Sequence, residues 1–289
     1  MSTAAVSVKA PTKGARARRR RRLQVVRGVA AALLTLVFIG PIVWMVSTAL
    51  KVGNQAFSET PTLFFTPTLH NFDSVFTKSK FGSALATSLF TAGSSTVLAL
   101  LLGAGIAYPL ARLRIRGHQQ LSSWVLSLRI IPPIAVIIPM FLMLRSFGLT
   151  GSVWSLVVIY TYMNLPLTVW LLRGFFADLP VEIEEASFVD GASRLRSFFG
   201  ITLPLALPGV VATALLAFIF AWNEFLFANI LTGANTRTAP VGLTEYVTPV
   251  SVEWNNIMAA GTLVVIPVWL GALAAQRYLV RGLTMGAVK

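Results

Sequence analysis

Cysteine is absent from this 289-residue chain, which excludes disulfides, thiol catalysis and thiolate metal sites. Histidine is nearly absent: His70 and His118 are the only two, far apart in sequence, and a histidine metal cluster within the chain is not expected. Charge is scarce as well, at 12% of residues, with 10 acidic against 24 basic side chains. Hydrophobic residues make up 55% and the mean hydropathy is +0.74, too apolar for a domain that must clothe itself in a solvated shell. No G-x-x-x-x-G-K-[ST] phosphate loop occurs, so if nucleotide hydrolysis drives this protein, another chain performs it.

What the sequence does have is long apolar runs. Stretches without Asp, Glu, Lys or Arg extend over Gly28–Leu50, Phe81–Ala111, Ile130–Leu144, Ser146–Leu172, Ser197–Asn223 and Trp254–Gln276. Most exceed the ~20 residues that cross a ~30 Å hydrocarbon core at ~1.5 Å per residue. The short third run joins Gln119–Leu128 across the single Arg129, and together they are long enough to span. The expectation is six membrane-spanning helices.

Basic residues orient them. Lys9, Lys13, Arg16, Arg18 to Arg22 and Arg27 all precede the first run, where they resist translocation and hold the N-terminus in the cytoplasm. A nucleic-acid-binding arm is the rival reading, and the position before a span disfavours it. The first run is also too long for the ~7–15-residue apolar core of a signal peptide, which makes it a retained span. With the N-terminus inside, Arg112, Arg114, Arg116, Arg173, Arg194, Arg196, Arg277, Arg281 and Lys289 also fall inside. Lys51, Lys78, Lys80, Arg145 and Arg237 fall outside, giving eighteen inner basic residues against five outer ones with Arg129 in a span. Both termini are therefore expected in the cytoplasm. The outer segment from Lys51 to Lys80, with Pro61 and Pro67, reads as an ordered cap or loop. In the second span Ala99, Gly103 and Ala107 recur every four residues, which permits close helix packing; a pore-lining role is the alternative.

The inner segment DLPVEIEEASFVDGASRLRSFFGITLPLALPG from Asp178 is the most informative. Asp178 is expected to cap a short helix with Pro180 in its first turn. Glu182, Glu184 and Glu185 sit near the positive helix start, and Gly191 can end the helix in the left-handed conformation. Leu179, Ile183 and Ala186 fall on one side. Such an acidic helix suits a protein partner better than the anionic inner leaflet.

Glu185, Ala186, Gly191, Ile201, Leu203 and Pro204 match the spacing E-A-A, three residues, G, nine residues, I-x-L-P, with Ser187 at the second alanine position and Asp190 before the glycine. In this the chain resembles the permeases of ABC importers. RIIPPIAVIIPMF from Arg129, AWNEFLFANILT from Ala221 and QRYLVRGLTMGAVK from Gln276 are similar to one subgroup, carbohydrate importers with a maltose-permease-like second subunit. The likeness covers Phe81 to Lys289; the subgroup's usual ending, G-A-V-K-G, lacks its last glycine here.

The resemblance implies an all-α integral membrane protein with six transmembrane helices and the MetI-like fold of type I ABC importer permeases, in a bacterial cytoplasmic membrane. The basic residues and apolar runs divide the chain into residues 1–27 as a cytoplasmic arm, 28–50 as the first span and 51–80 as an external loop, and the resemblance implies 81–289 as the permease core with 178–204 as coupling loop. Its implied partners are a second permease subunit, a homologue or a second copy, a dimer of ATPase subunits that bind ATP and Mg²⁺, and an external binding protein that delivers a sugar or polyol. The chain itself would bind no cofactor and catalyse no reaction. Glu185 would hold a cleft in the ATPase subunit, and the helix around it would shift the spans between two pore states.

Two charges near the membrane, Arg129 and Glu224, are expensive enough to suggest function. Arg129 is expected ~15 Å into the third span, near the midplane, and Glu224 ~30 Å beyond Pro204, near the outer interface. Pro132 and Pro133 free carbonyls where a helix can bend, so Arg129 is either a gate or a hydrogen-bond anchor. Asn164, Trp222 and Asn223 could line a sugar route or join helices to one another. A phosphorylated polyol such as glycerol phosphate is the alternative cargo. An ion-coupled carrier, the alternative mechanism, leaves the acidic loop unexplained.

Overall fold

The computed structural model describes residues 13–53, 62, 64–113, 115–249 and 251–285; of 13–21 and 279–285 it describes only the helical path. Lys9, Pro61, Arg114 and Lys289 lie outside the described residues. Thirteen α-helices run through the rest. The long apolar ones are α1 (Lys13–Ala49), α3 (Phe81–Arg112), α6 (Val153–Ala177) and α13 (Trp254–Met285). Each is long and apolar enough to cross a membrane unbroken.

The other two expected spans are bent. Helix α4 (His118–Ser127), extended by a tight turn over Leu128–Ile130, meets α5 (Pro133–Ser146) at 90°. Ile131 and Pro132 between them are extended, with ψ of 120° and 129°. A proline disfavours the helical conformation in the residue before it, so the consecutive prolines dictate this break. The bend expected at Pro132 and Pro133 is thus present, and it divides the third apolar run into two helices. The fifth run behaves alike: α8 (Arg194–Ser197), a π turn over Phe198–Thr202 and α9 (Leu203–Leu205) meet α10 (Leu207–Trp222) at 76°.

Helices α3, α6 and α10 form the centre of the bundle, with α13 against α10 and α1 against α13. Ala99, Gly103 and Ala107 are all buried, and Gly103 lies directly against Thr168 of α6, so the small residues let two helices approach closely. None of the most apolar stretch of α1 is buried, as befits a helix facing lipid or another subunit.

Each end of the bundle has its own cluster. At one, α2 (His70–Thr77) and α12 (Ala239–Gly242) cap the spans. There the Asn71 amide donates to the Ala49 and Lys51 carbonyls at 2.7 and 2.8 Å, and Ser88 Oγ accepts from the Ala239 amide at 2.8 Å. The segment after Lys51 is thus an ordered cap where it is described. At the opposite end Ala107, Leu110, Val169, Leu172, Phe176 and Ala206 make a core beneath α7 (Val181–Val189).

Candidate functional site

Helix α7 is held in place by its buried side and offers the other. Its C-terminus follows from Gly191, whose φ of +83° places it in the left-handed region. The Gly191 amide donates to the Phe188 carbonyl at 3.1 Å and the Ala192 amide to the Ser187 carbonyl at 2.9 Å, the paired bonds of a Schellman ending. The N-terminus differs from expectation. Asp178 is the C-cap of α6, and Pro180 stands at the N-cap of α7 with no side-chain cap. The preceding helix runs on through Ala177 and absorbs Asp178. Leu179 packs into the core beneath, whereas Ile183 and Ala186 are exposed, so these three do not form one stripe.

Only Glu184 and Ser187 of α7 are buried. Glu184 Oε2 lies 3.2 Å from Arg112 Nε, with both side chains 7% exposed, and the Tyr108 hydroxyl donates to Glu184 Oε1. Arg112 Nη2 donates to the Leu179 carbonyl at 2.9 Å. Ser187 Oγ donates to Ser197 Oγ at 2.8 Å. Glu182, Glu185, Val189 and Asp190 point away from the bundle, and Val189 is 88% exposed. The result is a short rigid helix with an outward face that is partly acidic and partly apolar.

Ile201, Leu203 and Pro204 occupy the corner that turns α8 and α9 into α10. Leu203 donates its amide to the Phe198 carbonyl in a π turn, and Pro204, which has no amide hydrogen, adds to the local deformation. Just beyond it Gly209 passes so near α6 that a Cβ there would lie 2.2 Å from the Phe175 ring. The outward helix is thereby joined to the bundle through a tightly packed corner.

At mid-bundle a cleft of about 240 Å³ is lined by residues that include Arg129, Pro133, Tyr160, Asn164, Phe220 and Glu224. The Arg129 guanidinium stands 4.4 Å from the Phe220 ring centroid. The depths expected for Arg129 and Glu224 differ, yet both line this one cleft. Glu224 Oε1 and Oε2 accept the Phe227 and Ala228 amides at 3.0 and 3.1 Å, capping α11 (Leu226–Leu231).

The other polar candidates divide. Asn164 lines the cleft and donates from Nδ2 to the Ala217 carbonyl at 3.2 Å, joining α6 to α10. Trp222 is buried on another side, its Nε1 donating to the Val264 carbonyl of α13 at 3.2 Å and its ring stacked on Phe218. Asn223 is exposed and bonds back to the Ile219 carbonyl of its own helix. Pro132 sits in the break itself. Tyr108, Arg112, Glu184 and Ser197 are site residues that sequence reasoning passed over. The usable signal was the spacing of Glu184 and Ser187, three apart and so on one face.

A helical bundle with four long apolar helices and two bent apolar pairs, a mainly apolar mid-bundle cleft holding a few polar side chains, and a short exposed helix at one end has the architecture of a multi-spanning membrane protein. The chain belongs to the family of binding-protein-dependent transport system inner membrane components, which it matches over residues 99–285. It is 35% identical over 252 residues to the trehalose transport system permease protein SugB of Mycobacterium tuberculosis, covering 86% of this chain and 92% of that protein. Over 265 residues it is 32% identical to the trehalose/maltose transport system permease protein MalG of Thermococcus litoralis, covering 90% of this chain and 95% of that one. Its fold is shared, at a TM-score of 0.74 and 22% identity over 91% of this chain and 98% of the other, with a chain of a bacterial ABC transporter involved in the import of the acidic polysaccharide alginate.

Proposed function

We propose that this chain is one of two permease subunits of an ATP-driven importer of a sugar or polyol. Its α7 docks on an ATPase subunit in the cytoplasm, an extracytoplasmic binding protein delivers the cargo at the opposite face, and both termini are cytoplasmic. ATP and Mg²⁺ belong to the ATPase subunits, and this chain supplies the pathway and the linkage. The observation that carries the reading is the exposure of Glu185 on α7 and Asp190 at its C-cap, followed by a Schellman ending and then by the bent corner that joins α10. The names of the trehalose and maltose permeases support the cargo class.

The cleft carries one charge of each sign, the Arg129 guanidinium and the Glu224 carboxylate, the latter held in place by two backbone amides. With no net charge of its own, it suits a neutral sugar or polyol, and the acidic and phosphorylated cargoes remain for the uptake panel to test.

The test is uptake by the reconstituted complex across a panel of neutral disaccharides, acidic sugars and glycerol phosphate, repeated with Glu185→Lys. The substitution reverses a charge on an exposed face, so insertion and abundance should stay near normal while uptake of the cargo is abolished. Glu182→Lys should do less. Undiminished ATP-dependent uptake by the Glu185→Lys complex would contradict the docking role, and accumulation of no sugar or polyol by the unaltered complex would contradict the cargo class.

A further inference from the structure

An exposed helix that receives force must pass it on, and α7 is a nine-residue helix with little of its own surface in the bundle. What ties it down is specific. One carboxylate, Glu184, receives two side chains from α3: the guanidinium of Arg112 at 3.2 Å and the hydroxyl of Tyr108. Tyr108 and Arg112 are four residues apart and so share a face of that helix. Arg112 also reaches the Leu179 carbonyl at 2.9 Å, in the short joint between α6 and α7. Neighbouring aromatics shield the cluster: the Tyr108 ring lies 4.8 Å from Phe198 and 6.1 Å from Phe176.

We propose that the buried Glu184–Arg112 pair, with the half-buried Tyr108 bonded to it, is the link through which movement of α7 displaces α3, making these three the positioning residues for coupling. The inference rests on the docking of α7 described above and says how the motion reaches the spans. Apolar contact alone resists separation of two surfaces but tolerates sliding. A desolvated ion pair with a second hydrogen bond is directional, and stretching it leaves a buried charge uncompensated. The bond from Arg112 to Leu179 closes the remaining freedom, since α7 cannot swing from the end of α6 without breaking it. Ser187 and Ser197, 2.8 Å apart, secure the other side to α8. Helices α3, α7 and α8 therefore move as one body, and α3 carries the motion along the full length of the bundle.

The experiment exploits the absence of cysteine from this chain. Leu101, 66% exposed on α3, is changed to cysteine and labelled with an environment-sensitive dye in the assembled importer, its other subunits cleared of reactive cysteine. The readout is the spectral change on adding ATP with vanadate, compared among the Leu101→Cys background, Glu184→Gln, Arg112→Gln and the double variant. The expected result is an amplitude at least about fivefold smaller in each variant, the low end of typical coupling factors, in complexes that still assemble with their ATPase subunits. The double variant should be no worse than either single one, because the pair acts as a unit. Arg112→Lys, which keeps the charge without the fork, should fall between. Leu110→Ala, a cavity in the same core, controls for simple loosening and should lower thermal stability while leaving the amplitude intact. A normal amplitude in assembled Glu184→Gln complex, with or without reduced yield, overturns the link. Glu185→Lys keeps the two claims apart: an undiminished amplitude there defeats the docking itself, whereas a lost amplitude there beside a normal one in Glu184→Gln defeats only the link.

Discussion

Gly103 is where the packing of α3 on α6 can be tested by a single methyl group. A Cβ built there lies 2.6 Å from Thr168 Cγ2 and 3.2 Å from Thr168 Cβ, against the ~3.5–4.0 Å of an optimal carbon contact. Thr168 is fully buried, as are Ala99 and Ala107 one turn to either side of Gly103, so the helices cannot part at one residue without losing both neighbouring contacts. Overpacking of this kind costs about 1–3 kcal/mol. Against it stands the usual gain from replacing a mid-helix glycine with alanine, about 0.5–1 kcal/mol. The clean quantity is thus the difference between Gly103→Ala and Gly105→Ala, because Gly105 lies in the same helix with nothing within 4 Å of its Cβ position. Gly105→Ala should stabilise the purified complex, and Gly103→Ala should fall about 1–3 kcal/mol below it, read as the midpoint of heat-induced loss of the gel-filtration peak. Thr168→Ala removes the clashing methyl together with a hydroxyl that is buried without a partner, so it should recover most of the loss in the Gly103→Ala background. If the two alanine variants melt alike, or Thr168→Ala recovers nothing, the close approach of α3 and α6 is not what holds the bundle together.

Arg129→Leu should raise ATP hydrolysis per assembled complex in the absence of binding protein. The contact with Phe220 joins the bend after α4 to α10, and losing a cation–π contact of about 0.5–2 kcal/mol releases the resting pore state by roughly 2- to 30-fold; an unchanged basal rate at reduced yield would reduce Arg129 to an anchor. Alkaline phosphatase fused after Lys289 should be inactive, as the proposed cytoplasmic placement of both termini requires, and external activity there would contradict that orientation.

The spans were legible because bilayer thickness acts on composition alone, and no tertiary detail is needed to see an apolar run. Gly191 was legible for a similar reason: a left-handed helix ending is a local demand that glycine meets at least cost, and its φ of +83° follows. The small residues of α3 were readable too, as a periodicity that only close packing exploits. The break at Pro132 and Pro133 could be anticipated, but its 90° size depends on what α5 packs against. Asp178 failed for a competing local reason, since the same residue can end one helix or begin the next, and the length of α6 decided it.

The charged residues were harder, because their cost in an apolar setting says that a partner exists without saying where. Glu224 resolves locally: two backbone amides at 3.0 and 3.1 Å satisfy it within four residues of chain, so the carboxylate's first role is to cap α11. Arg129 resolves at long range, on the face of Phe220 from a different span, and no sequence period joins those two positions. Glu184 and Glu185 show the same limit at its sharpest. They are adjacent and identical in chemistry, yet one is buried against Arg112 and the other faces outward. The ~100° turn between successive helical residues separates them, and it is Glu184 that meets Arg112 at the end of α3. A charge reversal at Glu185 consequently acts on an exposed face, whereas even the loss of charge at Glu184 reaches into the bundle.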